Sequence, residues 1–70
     1  MPFYYIFCRD RSAVERVNEI FSLLDGKTQF IWNELKDGYD TIVFLNDLRI
    51  MQMLYYLSKS NKAVIFKRIR

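Results

Sequence analysis

No histidine occurs among the 70 residues, cysteine and proline occur once each, and glycine occurs twice. Each scarcity excludes something. Without histidine there is no Ser-His-Asp triad, no imidazole general base and no histidine metal ligand. The lone Cys8 can form neither an intrachain disulfide nor a Cys-rich metal site, and one unpaired thiol fits a reducing cytoplasm. As a nucleophile it needs an activating base, and none can be named, so a core thiol is expected. Gly26 and Gly38 are both taken up by expected turns, which leaves no glycine-rich phosphate loop. The longest uncharged runs, Met1–Cys8 and Ile50–Ser58, fall far short of the ~20 residues of a membrane-spanning helix. Met1–Cys8 also lacks the basic stretch and small-residue cleavage site of a signal peptide. Carboxylates are scattered, with no cluster at metal-ligand spacing. No enzyme, cofactor, metal, small-molecule substrate or membrane partner is therefore expected.

What is present is a folding composition: 51% apolar, 17% aromatic and 27% charged. One domain spanning 1–70 is expected. A chain this short buries only about 60% of its unfolded surface, so a partner surface would help a marginal fold. The formal net charge of +3 is uneven. Acidic residues outnumber basic ones up to Leu45. From Asn46 onward Arg49, Lys59, Lys62, Lys67, Arg68 and Arg70 face Asp47 alone. Such a basic tail either attracts phosphates or an acidic protein, or merely deters unwanted strand pairing.

Phe3–Cys8 is apolar on both alternating faces and reads as a central strand. Ser12-Ala13-Val14-Glu15 matches a capping box, and Ala13, Val14, Val17, Ile20, Phe21 and Leu24 then fall on one helical stripe. Gly26 is the expected end of that 13–24 helix. Thr28–Leu35 and Tyr39–Leu45 read as a hairpin about Lys36-Asp37-Gly38. A two-residue Asp37-Gly38 turn would separate the large apolar residues. A three-residue turn with Gly38 left-handed pairs Trp32 with Ile42 and Phe30 with Phe44, gathering four large apolar groups on one face, and is preferred. Asn46 or Asp47 caps a second helix to about Ser58, with core residues Ile50, Met51, Met53, Leu54 and Leu57 and a left-handed cap at Asn61. Lys62–Ile69 is the last strand. The order strand-helix-strand-strand-helix-strand is the split βαβ plan: an α+β, ferredoxin-like βαββαβ fold, with an antiparallel sheet of strand order 4-1-3-2 and both helices on one face.

That plan leaves one sheet face uncovered. Such a face should be polar, yet whichever of the trios Phe3/Tyr5/Phe7 or Tyr4/Ile6/Cys8 turns away from the helices, it is largely apolar. The preferred register adds Ile31, Tyr39, Thr41, Val43 and Ile65 beside it. This favours a small non-catalytic binding protein, a cytoplasmic regulator or inhibitor docking on another protein. It would also associate with itself through the open sheet or the last strand edge. From its compact, aromatic-rich composition without catalytic groups, an accessory factor, including one made by a virus, is an expected origin. The expected contact residues are Ile31, Tyr39, Thr41, Val43, Tyr55 and Tyr56.

The alternative partner is single-stranded nucleic acid. Gly38, Tyr39, Ile42 and Phe44 are similar in kind and spacing to part of the RNA-recognition-motif signature, while Asp37, Asp40 and Thr41 depart from it. In that reading Tyr39 stacks a base, as the resemblance implies, while the basic tail residues Lys62, Lys67, Arg68 and Arg70 contact phosphates on the strength of their charge. A third reading rests on Asp10, which follows strand 1 where small ferredoxin-like nucleases hold a metal-binding Asp; its bland counterpart is a loop residue balancing Arg9 and Arg11.

Overall fold

A computed structural model of the chain describes residues 2–24 and 30–70. The elements are β1 (Phe3–Cys8), α1 (Arg11–Leu24), β2 (Asn33–Leu35), β3 (Gly38–Phe44), α2 (Leu48–Ser60) and β4 (Val64–Arg68). They form one four-stranded sheet in the order β2-β3-β1-β4, every pairing antiparallel. This is the ferredoxin-like α+β plan, with β1 and β3 central as the two-sided apolarity of β1 requires.

Burial alternates along the strands. Tyr4, Ile6 and Cys8 of β1, Thr41 and Val43 of β3, and Val64 and Phe66 of β4 are buried. The apolar ones join Ala13, Val17, Ile20 and Phe21 of α1 and Ile50, Leu54 and Leu57 of α2 in one core cluster. Both helices therefore cover the same sheet face. Each large side chain fully buried there contributes about 1.5–3 kcal/mol. Met53, expected in the core, is exposed because it lies off the Ile50-Leu54-Leu57 stripe.

The helix caps differ from expectation in detail. The Ala13 amide donates to the Asp10 carboxylate at 2.9 Å, so Asp10 caps α1 and Ser12 falls inside its first turn. The expected end at Gly26 lies outside the described residues. Asp47 caps α2 by accepting from the Arg49 amide at 2.9 Å. The Arg49 guanidinium grips the same carboxylate at 2.8 Å and holds it well below the usual range, at about 2. Asn61 ends α2 in an extended conformation (φ −129°), not a left-handed one, and its side chain accepts from the Ala63 amide instead.

The hairpin register departs most. Leu35 pairs with Gly38, Glu34 with Tyr39 and Asn33 with Asp40. The loop is thus Lys36-Asp37, and Gly38 opens β3 without adopting a left-handed φ. A Cβ at Gly38 would lie 2.5 Å from the Cys8 carbonyl oxygen and 2.8 Å from the Phe7 ring. The glycine is there for close approach to β1, not for turn conformation. Ile31 and Trp32 precede β2 outside the ladder. The Trp32 indole N–H donates to Asn18 of α1 at 3.0 Å, and the Thr41 hydroxyl, buried, donates to the Ile31 carbonyl at 2.9 Å. Among the described residues no helix is long and apolar enough to cross a membrane.

Candidate docking surface

The sheet face opposite the helices is built from the other residue of each alternation. In β1 it takes Phe3, Tyr5 and Phe7. Phe3 pairs with Phe44, Tyr5 with Ile42 and Phe7 with Asp40 across β1–β3, while Tyr5 pairs with Lys67 and Phe7 with Ile65 across β1–β4. The Ile69 amide continues the β1–β4 alignment by donating to the Phe3 carbonyl at 2.9 Å. Exposure is high for such large side chains: Ile42 58%, Phe44 47%, Ile65 47% and Phe3 37%. The Phe3 and Phe44 rings meet edge to face at 5.6 Å, which makes the end of the face a stiff aromatic step.

A short polar chain crosses the middle of this apolar field. The Tyr5 hydroxyl donates to Asp40 Oδ2 at 3.0 Å, and the Asn33 amide donates to Oδ1 at 3.2 Å. Burial, and then the neighbouring Asp40 carboxylate, push the Tyr5 hydroxyl above its ordinary pKa, so it stays a protonated donor. Lys67 Nζ sits 5.6 Å from the centre of the Tyr5 ring, a cation–π contact of about 0.5–1 kcal/mol at an exposed site. Among the described strand residues, Asp40 and Lys67 are the charges on this face, one of each sign.

The expected contact residues do not share one surface. Thr41 and Val43 are buried toward the helices. Tyr39 turns the same way and lines a cleft of about 320 Å³ with Arg11, Val14, Asn18, Trp32 and Glu34. All three leave the uncovered face because strand β3 presents Asp40, Ile42 and Phe44 there instead. Ile31 is highly exposed, ahead of β2. Tyr55 and Tyr56 lie on α2, in the helical layer; the Tyr55 ring packs edge-on against Phe66 at 4.8 Å, and Tyr56 is largely solvent-exposed. Ile42 and Phe44 are the residues sequence reasoning misses. Their size points to the core, and the one available signal against that is the β-branched, compact pair Thr41 and Val43, which suits the space beneath two helices.

The basic residues also separate. Lys62 is in the turn after α2, Lys67 is on the uncovered face, and Arg68 follows the alternation of Phe66 toward the helical side. Arg68 Nε donates to the Arg70 carbonyl at 2.8 Å. The position that the RNA-recognition-motif likeness assigns to stacking, Tyr39, faces the helices. Cys8 is buried, and burial with the nearby Asp10 pushes its thiol up to about 12, so it is a neutral core group. The Asp10 carboxylate is engaged by the α1 cap. Among the described residues no group of three or more His, Cys, Asp or Glu is placed to hold a metal ion. No family model matches the chain, and neither a curated protein nor a solved structure matches it.

Proposed function

We propose that this chain is a small binding protein without a catalytic role, a regulator or inhibitor that works by protein–protein contact through its uncovered sheet face. One observation carries this reading: Phe3, Ile42, Phe44 and Ile65 stand exposed on the one sheet face that the helices leave open, about the half-buried Tyr5 and Phe7. Monomers rarely carry apolar patches beyond about 300–600 Å², and patches that large are often functional. Aromatic side chains such as Phe3 and Phe44 are enriched at protein interfaces. Self-association belongs to the same reading. Of the two routes to it, the face is favoured over the β4 edge, where Lys67 and Arg68 deter edge-to-edge pairing. A cytoplasmic site of action fits the single buried thiol.

The test compares the parent chain with Ile42→Asp as bait, with oligonucleotides run in parallel. The expected result is protein binding, by a second copy or another chain, that persists as salt rises from about 50 to 200 mM and disappears with Ile42→Asp, while RNA and DNA oligomers stay unbound. Protein binding indifferent to Ile42→Asp would remove the sheet face from the account. Oligonucleotide binding that falls steeply over the same salt range would replace it with the nucleic-acid reading.

A further inference from the structure

The geometry points to a second copy of this chain as the occupant of the uncovered face, stacked sheet on sheet about a two-fold axis. The inference rests on the reading of that face as a docking surface and names its partner. Two observations select the occupant. The first is area. A large side chain presents ~150–250 Å² when fully exposed, so the exposed fractions of Phe3, Leu35, Ile42, Phe44, Ile65 and Ile69 amount to on the order of 500 Å² of apolar surface. Asn33, Lys67 and the half-buried Tyr5 and Phe7 on the same face extend it toward the ~800 Å² that each partner gives to a standard interface. Sheets stacked face to face interdigitate such side chains across ~10 Å, as in a sandwich core.

The second is charge. Asp40 stands on β3 and Lys67 on β4, on opposite flanks of β1 and one residue pair apart along it. About an axis that runs along the strands, a face-to-face two-fold contact exchanges left and right, whereas an axis across them would lay β3 over β3 and set like charges together. The axis along the strands lays β3 of one copy over β4 of the other, so each Asp40 comes within one residue pair of the second copy's Lys67. A face with one anion and one cation so placed is complementary to itself. It carries no net charge toward phosphates, which argues against nucleic acid as the occupant.

The test is sedimentation equilibrium from about 1 to 500 μM, a range that spans weak and moderate self-association by mass action. The parent chain is expected to dimerise. Asp40→Lys and Lys67→Asp are each expected to weaken the dimer by about tenfold or more, because like charges then oppose one another across the contact. An equimolar mixture of the two variants is expected to dimerise as the parent does. In the mixed pair a face with two lysines meets a face with two aspartates, so every charge again has an opposite partner. A folding defect in either variant could not be rescued by mixing. Because Asp40→Lys also removes the acceptor of the Tyr5 hydroxyl, circular dichroism melting accompanies it, and Lys67→Asp alone keeps the test if that variant unfolds. A strictly monomeric parent would overturn the inference, as would a dimer unmoved by charge reversal. A monomeric parent whose binding to another protein is lost in Ile42→Asp would refute the second copy and leave the docking face standing. A dimer that survives Ile42→Asp would refute both.

Discussion

Truncating Ile6 to alanine is expected to remove about 2–5 kcal/mol of folding stability. Ile42→Ala, one residue pair away on the neighbouring strand, is expected to cost under about 1 kcal/mol. The two residues are chemically identical and both sit on central strands, so the contrast isolates which side of the sheet each one faces. Ile6 has no exposed surface and lies between Thr41 and Phe66 in the two ladders, beneath both helices. Its loss leaves a cavity in close-packed surroundings that relax only in part. Ile42 is more than half exposed on the open face and loses little on truncation. Stability of roughly 0.05–0.15 kcal/mol per residue gives a domain of this length about 4–10 kcal/mol. The Ile6 variant should therefore lose roughly half of its stability and unfold at a much lower urea concentration than the parent. Urea denaturation, at concentrations too low for association, reads both values; equal losses would place the two residues on the same side.

Gly38→Ala is expected to cost about 1–3 kcal/mol, toward the upper end of what overpacking exacts. The added Cβ meets two neighbours. The Phe7 ring, at 2.8 Å, can swing away on its flexible side chain. The Cys8 carbonyl, at 2.5 Å, belongs to the backbone of the central strand and cannot retreat without disturbing the pairing of Cys8 with Tyr39 and with Val64. A second substitution separates this account from a conformational one. Asparagine tolerates the left-handed region, so Gly38→Asn would be mild if backbone conformation required the glycine. Here it should be at least as damaging as alanine. Thermal melts of the two variants give the ordering directly.

These two substitutions also mark where the sequence is legible. The element order and sheet order follow from strong signals: the apolar stripe of α1, the aromatic and β-branched runs, and a first strand apolar on both faces. The uncovered apolar face follows from the same strand, since either trio of Phe3–Cys8 leaves large residues outward. Which trio is outward does not follow, because both are equally apolar by pattern. The hairpin register is hidden for a related reason. Lys36-Asp37-Gly38 supports more than one turn alignment, and the usual role of glycine in turns conceals a glycine needed for close strand contact. A one-residue slip reverses every side chain of a strand. It moves Ile42 and Phe44 outward and takes Tyr39, Thr41 and Val43 inward, which is why half of the expected contact residues lie under the helices. At the start of α1, two residues with capping side chains compete, and Asp10, being earlier, captures the Ala13 amide that a box at Ser12 would forgo.

The most direct measurement is methyl NMR on isoleucine- and leucine-labelled protein with a soluble paramagnetic probe, followed across a concentration series. Ile42 and Ile65 report on the open face, Ile6 and Ile50 on the core, and Leu48 on the exposed helical layer. At the lowest concentration Ile42 and Ile65 should be broadened as Leu48 is, while Ile6 and Ile50 stay sharp. As concentration rises they should become shielded and Leu48 should not. Shielding of Ile42 and Ile65 in the dilute monomer, or accessibility equal to that of Leu48 at every concentration, would contradict the account.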